Sequence, residues 1–128
     1  MVLAASEDRK RGAGMRAMSF MLTTEQIRNR SKTVTRRLGW NTLKHGDRLI
    51  AAVKCQGIKK GEKREDICVI EVVSLRVEVL LEITQADCAS EGFPNLSPPE
   101  FVAMFCAHMK CDPTTLVNRI EFKFVEVA

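Results

Sequence analysis

Long apolar segments are missing from this chain of 128 residues. No apolar run approaches the roughly 20 residues that a membrane-spanning helix needs, so we expect no membrane partner. The first 14 residues are rich in small, basic and polar types, and they lack the apolar core of a secretory signal. We therefore expect a cytoplasmic protein with a disordered leader over residues 1–14 and a single domain over residues 15–128.

Paired cysteine motifs are missing as well. The five cysteine residues include no C-x-x-C pair, and their odd number is typical of reduced thiols in a cytoplasmic compartment. The segment from Cys106 to Cys111 also contains His108, but it offers too few ligands at the wrong spacing for a standard zinc site. We therefore predict no metal site and no cofactor.

The charges are divided unevenly along the chain. Residues 1–64 contain 16 lysine and arginine residues against 5 acidic ones, a net charge of +11, whereas residues 65–128 contain 4 against 11, a net charge of −7. A cationic half is typical of proteins that bind nucleic acids or nucleotides. Internal pairing between the two halves is the alternative explanation. The basic residues concentrate in two clusters, Arg28–Arg37 and Lys54–Arg64, which favours the binding interpretation.

The segment Arg30–Arg37, with the sequence RSKTVTRR, is the most informative stretch. It interleaves hydroxyl and cationic side chains, and Val34 is its one apolar residue. Since unpaired cations are costly to bury, we expect the segment to line a surface or a wet pocket, with Arg36 and Arg37 as surface cations. Guanidinium and hydroxyl groups side by side suit a phosphate or another anion. A solvated edge strand would have the same composition.

Apolar periodicity and turn residues predict eight elements in the order β-α-β-β-β-α-α-β. Thr23 and Gln26 form a capping-box pattern at the start of the first helix. The β-branched residues of positions 67–81 predict one long bent strand, or two strands that meet near Ser74. Later helices are predicted to begin after Thr84 and at Pro98. The order predicts an α+β domain, with a small antiparallel sheet or barrel and short flanking helices.

An ordered set of motifs resembles the ASCH domain, which belongs to the PUA-like β-barrel superfamily. The matching pieces are Ser31–Arg37, Gly46-Asp47, Ile83–Phe93 and Ile120–Phe122, and the resemblance covers residues 15–127. Ser31 departs from the pattern, because glycine is commoner before the Lys-Thr pair. The resemblance implies a small PUA-like antiparallel β-barrel flanked by short helices. It also implies an RNA- or nucleotide-related role, with the site in a cleft beside the barrel.

The resemblance also implies candidate catalytic residues. Some ASCH proteins resemble amidohydrolases that remove the acetyl group of N4-acetylcytidine, and their lysine, threonine and glutamate would fall on Lys32, Thr35 and Glu91. A threonine hydroxyl needs a neighbouring base, and the arginines around Lys32 favour a lowered pKa for that lysine. In a regular strand, however, Lys32 and Thr35 would face opposite sides. A helix-end acceptor for Arg36 or Arg37 is the alternative role of Glu91.

Three classes of function remain open. We predict an RNA- or nucleotide-binding domain of the ASCH type with a cationic cleft around Lys32–Arg37, whose ligand is RNA or a modified nucleoside. One alternative is an enzyme, either a small amidohydrolase that acts on an N4-acylated cytidine-type nucleoside or a ribonuclease. The other is a protein-interaction domain. The residues predicted to bind the ligand are Arg30, Thr33, Arg36, Arg37 and Trp40.

Overall fold

The computed structural model describes residues 15–126, so the predicted leader lies outside the described residues. The predicted order of strands and helices is confirmed. The five strands are β1 (Ala17–Ser19), β2 (Val34–Arg37), β3 (Arg48–Ala52), β4 (Asp66–Val79) and β5 (Leu116–Phe124). The α-helices are α1 (Thr24–Arg28), α2 (Gln85–Ser90) and α3 (Pro98–Met109), and short 3₁₀ turns at Met21–Thr23 and Leu80–Glu82 precede α1 and α2. Within residues 15–126, no helix is long and apolar enough to cross a membrane.

The five strands form one mixed sheet in the order β1-β3-β4-β5-β2. Strand β1 runs parallel to β3, with Ala17 opposite Ile50, whereas the other three pairs are antiparallel. The prediction of an antiparallel sheet was therefore wrong for β1. A parallel pair needs a long crossover connection, and here α1 and β2 lie in the chain between β1 and β3.

Strand β4 lies at the centre of the sheet and confirms the prediction of one long bent strand. Its 14 residues pair with β3 on one side and with β5 on the other. The register against β5 shifts between Val72 and Ser74, close to the predicted bend. A bulge of this kind bends a strand and increases its twist.

The edges of the sheet are β1 and β2. In the described part of the chain, no backbone ladder joins these two strands and closes the sheet into a barrel. The side chain of Arg37 bridges them instead, because its Nη2 donates to the backbone oxygen of Ser19 over 2.6 Å. The ends of β1 and β2 therefore lie side by side, which places the residues after β1 next to those of β2.

The hydrophobic core has two clusters. The first lies on the sheet and contains Met18, Phe20, Ile27, Leu43, Leu49, Ala51, Ile70, Val72, Ile120 and Phe122. The second joins α2 and α3 to the ends of β4 and β5 and contains Leu80, Ile83, Cys88, Phe101, Val102, Phe105 and Val117. Full burial of one large apolar side chain stabilises a fold by about 1.5–3 kcal/mol. Each cluster therefore stabilises the packing of the strands and helices that contribute to it. A cleft can form at the surface between the two clusters.

Side-chain caps begin two of the three helices. Thr84 accepts from the backbone N–H of Asp87 at the start of α2, as predicted. Ser97 and Glu100 form a reciprocal capping box at the start of α3. The capping box predicted for α1 is wrong, since the side chain of Gln26 instead donates to the backbone oxygen of Gly92 over 3.1 Å.

Candidate functional site

The loop between α1 and β2 positions Lys32. Helix α1 ends at Arg28, and Arg30 takes a left-handed conformation with a φ of 63°. The backbone N–H groups of Ser31 and Lys32 then both donate to the oxygen of Gln26, at 2.9 and 3.2 Å. Lys32 therefore lies in a tight loop that precedes β2. The alternation of a regular strand does not apply to it, so Lys32 and Thr35 can face the same space.

The turn after α2 brings Glu91 to this loop. The backbone N–H of Thr33 donates to the oxygen of Ser90 over 2.8 Å, next to the Gln26–Gly92 hydrogen bond. Gly92 has a φ of +100°, and a Cβ at this position would lie 2.9 Å from Cγ of Gln26. Glycine suits this position because it adopts the positive φ and leaves room for the close approach. The two segments are thus held together from both sides of Glu91.

Lys32 and Glu91 form a buried ion pair. Nζ of Lys32 donates to Oε1 of Glu91 over 2.8 Å and to its backbone oxygen over 2.7 Å, and each residue is 3% exposed. Burial lowers the pKa of Lys32 below 10.5, and the charges of Arg37 and Arg36 lower it further, whereas Glu91 opposes the shift. The lysine therefore loses its proton more readily than an exposed lysine does.

Arg36 lies behind this pair as a structural cation. Its guanidinium contacts Asp87 at 2.6 Å, Glu78 at 2.8 Å and Glu91 at 3.2 Å. Burial alone would lower the pKa of Arg36, but the hydrogen bonds and charges of Asp87 and Glu91 outweigh burial and raise it. Asp87 also accepts two hydrogen bonds from Arg119. The expectation that Arg36 is a surface cation was therefore wrong, because three carboxylates compensate its burial.

A cleft of about 210 Å³ opens between the two hydrophobic clusters. Its polar end contains Ser19, Lys32, Thr35, Arg37 and Glu91. Its other walls are mainly apolar and include Phe20, Leu22, Phe93, Phe101, Met104 and Phe105, with His108 beside them. Met21 and Met109 also line it, and both are exposed, so they lie at the mouth. The cleft thus combines a small polar end with aromatic and aliphatic walls.

Thr35 and Arg37 share one face of β2 at the polar end. Nε of Arg37 donates to Oγ1 of Thr35 over 3.0 Å, and the guanidinium carbon lies 4.8 Å from the ring centre of Phe20. Burial lowers the pKa of Arg37 to about 10, a shift that the charge of Glu91 partly offsets. Arg37 is therefore still a cation at neutral pH. Because the oxygen of Thr35 accepts from Arg37, its own proton is free for another acceptor.

Comparison with known proteins identifies the fold. No family model matches the chain, and no curated protein matches it. A crystal structure of an Enterococcus faecalis protein assigned to the family DUF984 is similar, with a TM-score of 0.63, 11% identity, and coverage of 98% of this chain and 90% of that one. The crystal structure of an ASCH domain from Lactobacillus crispatus is similar with a TM-score of 0.57, 17% identity, and coverage of 86% and 79%. The chain has the fold of an ASCH domain. The predicted resemblance is thereby confirmed at the level of the fold.

The polar end of the cleft in this ASCH fold carries less positive charge than the sequence predicted. Glu91 neutralises Lys32, and three carboxylates surround Arg36. All of these acidic partners come from the acidic half of the chain, so internal pairing accounts for part of the charge asymmetry. The remaining cation of the cleft is Arg37. The prediction of a cationic cleft is therefore corrected: among the described residues, Arg37 is the lysine or arginine that lines the cleft and has no carboxylate within ion-pair distance.

Besides Arg36, three of the residues predicted to bind a ligand lie outside this cleft. Arg30 is exposed, pairs with Glu126 and lies over the ring of Phe124. Thr33 is held between α2 and β5 by its backbone hydrogen bonds. Trp40 packs against the first hydrophobic cluster, with the guanidinium of Arg16 4.3 Å from its ring centre. The structure brings Lys32, Thr35, Arg37 and Glu91 together and places these three residues elsewhere.

Helix α3 supplies cleft residues that the sequence analysis did not single out as site residues. Phe101, Met104 and Phe105 recur at the spacing of one helical face, and they line the cleft as well as packing in or against the second cluster. His108 follows Phe101 by seven residues and lines the same cleft. Its helical spacing was the available signal, because residues i and i+7 share a face.

Cys106, His108 and Cys111 are not placed to form a metal site. No group of three or more histidine, cysteine or acidic side chains in the described part of the chain is placed to hold a metal ion. The sulfurs of Cys106 and Cys111 lie 4.0 Å apart. Burial raises the pKa of the Cys106 thiol, and its contact with Cys111 adds to this shift.

Proposed function

We propose that the cleft binds the base of a nucleoside, free or as one nucleotide of an RNA. The observation that carries this proposal is the convergence of Lys32, Thr35, Arg37 and Glu91 at the polar end of one mainly apolar cleft. A nucleobase has two flat apolar faces and one edge of donors and acceptors, and unpaired bases in RNA are recognised by stacking and by hydrogen bonds to that edge. The phenylalanine-lined walls suit the faces, and the polar end suits the edge.

The size of the cleft favours a single base. Sites for drug-sized molecules have volumes of about 300–1,000 Å³, and the cleft, at about 210 Å³, is smaller. A strand of RNA would therefore place one nucleotide inside and leave its neighbours outside. Because most cations near the cleft are already paired with carboxylates, we expect RNA binding to weaken only slightly as salt concentration rises.

Amidohydrolysis of an N-acylated nucleobase is the second candidate, and the lowered pKa of Lys32 favours it. In this reaction Lys32 would first pass its proton to its ion-pair partner Glu91, and Oγ1 of Thr35 would then add to the acyl carbon while the neutral lysine amine accepts the hydroxyl proton. The proton would pass to the amine of the base as the C–N bond breaks, with Glu91 as a shuttle. Water would then cleave the acyl ester, so the products are a carboxylic acid and the free base amine.

The experiment measures binding and turnover on one panel of ligands. Isothermal titration with cytidine, uridine, adenosine, guanosine and short RNA tests binding, and chromatography of N4-acetylcytidine reactions tests hydrolysis. Thr35→Val is expected to abolish turnover and weaken binding, because it removes the hydroxyl that Arg37 contacts. Thr33→Val is the matched control, since Thr33 lies outside the cleft, and it should retain both.

The outcomes separate the two candidates. Binding of a nucleoside or RNA without turnover supports recognition and excludes amidohydrolysis of that nucleoside. Turnover that Thr35→Ser retains in part, and that Thr35→Val and Lys32→Met each lose, supports the enzyme. The proposal fails if no member of the panel binds or reacts at millimolar concentrations, or if Thr33→Val and Thr35→Val have equal effects.

A further inference from the structure

The positive charge of Arg37 lacks the carboxylate partners that Lys32 and Arg36 have. Lys32 contacts the carboxylate of Glu91, and Arg36 contacts three carboxylates. No carboxylate lies within 4.0 Å of the guanidinium of Arg37 among residues 15–126. Arg37 is therefore the cation of the segment Lys32–Arg37 that lines the cleft and has no ion pair among residues 15–126.

The guanidinium is nevertheless fixed in position. Its Nε donates to the hydroxyl oxygen of Thr35, and its Nη2 donates to the backbone oxygen of Ser19. The ring of Phe20 covers one face, at a distance where a cation is attracted to an aromatic ring. A guanidinium has five N–H groups, so three of them have no acceptor in the described part of the chain. These donors belong to a side chain that is already held in place, so little conformational entropy is lost when a ligand binds to it.

A partly buried cation without a counter-ion favours an anionic ligand. Removing a charge from water is costly unless it is paired and hydrogen-bonded, and both acceptors of Arg37 are uncharged. The one carboxylate at this end of the cleft, Glu91, is already shared by Lys32 and Arg36. An anionic oxygen group of a ligand in the cleft would supply the missing partner, and guanidinium groups bind phosphate and carboxylate in a bidentate manner.

We propose that the ligand of this cleft carries one anionic oxygen group, a phosphate or a carboxylate, and that Arg37 binds it. The inference rests on the proposed function only in placing the ligand in the same cleft. It narrows that function to a nucleotide or to a nucleobase derivative with an acidic group. Arg36 takes no part in binding, because it does not line the cleft and its guanidinium already pairs with three carboxylates.

The test uses small probes that contain no nucleobase. Phenyl phosphate and benzoate supply the two anionic groups on an aromatic ring, and benzamide is the neutral counterpart of benzoate. Binding is followed by titration calorimetry and by the NMR signal of the Arg37 Nε–H group. We expect at least one anion to bind about tenfold or more tightly than benzamide, and to shift that signal, because hydrogen bonds to charged groups are strong. The tighter of the two anions identifies the group.

Variants assign the preference to Arg37. Arg37→Gln is expected to abolish the preference for anions, whereas Arg37→Lys retains the charge and should keep part of it. Arg48→Gln is the control, since Arg48 is an exposed arginine that pairs with Glu71 away from the cleft. If Arg37→Gln does not fold, the NMR shift in the wild type and the partial retention in Arg37→Lys decide the question.

Two results would overturn the inference. One is an equal affinity of the wild type for the anions and for benzamide, and the other is a preference for anions that a folded Arg37→Gln retains. The proposed function is tested separately by the nucleosides, which are uncharged. Nucleoside binding without any anion preference would refute the role of Arg37 alone, and anion binding without nucleoside binding would refute the proposed function alone.

Discussion

The substitution Glu91→Gln tests how far the buried ion pairs stabilise the fold. Glu91 is 3% exposed and its carboxylate contacts both Lys32 and Arg36, at 2.8 and 3.2 Å. Glutamine keeps the size of the side chain but removes its charge. Removing one partner of a buried ion pair costs about 3–5 kcal/mol, because the other charge is left buried without compensation. We expect a loss in this range at neutral pH, since Arg36 keeps its two other carboxylates and Lys32 keeps none.

The structure also predicts the direction in which the stability of Glu91→Gln changes with pH. Burial already lowers the pKa of Lys32 below 10.5, and Glu91 is the group that opposes this shift. In Glu91→Gln the pKa of Lys32 in the folded state therefore falls further. The unfolded chain then binds more protons than the folded one between that lowered value and 10.5, so the stability of the variant rises with pH across this window. The slope approaches about 1.4 kcal/mol per pH unit where the lysine is neutral in the folded state.

Urea unfolding of the wild type and the variant at a series of pH values measures both quantities. Glu25→Gln is the matched control, because Glu25 pairs with Arg28 on the surface, where both side chains are exposed. Exposed pairs contribute about 0–1 kcal/mol, so this control should unfold almost as the wild type does. A loss in Glu91→Gln below about 1 kcal/mol that stays constant with pH would refute the reasoning.

Three further predictions concern stability at acidic pH, the turn after α2, and metal binding. Hydrogen bonds from Arg119 lower the pKa of Asp87 from 3.8 to about 2. The ionised Asp87 therefore stabilises the fold by about 2 kcal/mol above pH 3.8, and this contribution is lost as the pH falls from 3.8 to about 2. Urea unfolding at acidic pH should show that Asp87→Asn lacks this part of the loss. Gly92→Ala should destabilise the fold by more than Gly57→Ala in the same assay, because both glycines have positive φ but only Gly92 lies against Gln26. Treatment with a chelator should leave the melting temperature unchanged, and a clear drop would indicate a metal that contributes to folding.

The order of elements could be predicted from the sequence because local signals specify it. Thr84 before α2 and the prolines at the start of α3 are caps that depend on a few neighbouring residues. The β-branched residues of β4 favour a strand whatever surrounds them. The parallel pairing of β1 with β3 was missed, since it depends on how the chain returns after β2, and no short motif records that path.

The candidate site was predicted in part. The convergence of Lys32, Thr35 and Glu91 in one cleft follows from a loop and a glycine turn that hydrogen bonds hold together, and the motif resemblance anticipated it. The burial of Arg36 was not predicted. It depends on three carboxylates that lie 42 to 55 residues further along the chain, and a sequence window of ordinary length does not contain them.

Adjacent arginines illustrate how the fold divides structural from ligand-binding charges. Successive residues of a strand point to opposite faces, so Thr35 and Arg37 share the cleft face of β2 while Arg36 points toward the carboxylates of Glu78 and Asp87. The alternation alone would have separated the two arginines once β2 was placed. Glu91 complicates this division, because it contacts Arg36 and also Lys32 at the polar end of the cleft. A loss of binding in a Glu91 variant therefore reports on stability and recognition together, whereas substitutions of Thr35 and Arg37 leave the carboxylate network of Arg36 intact and test recognition more directly.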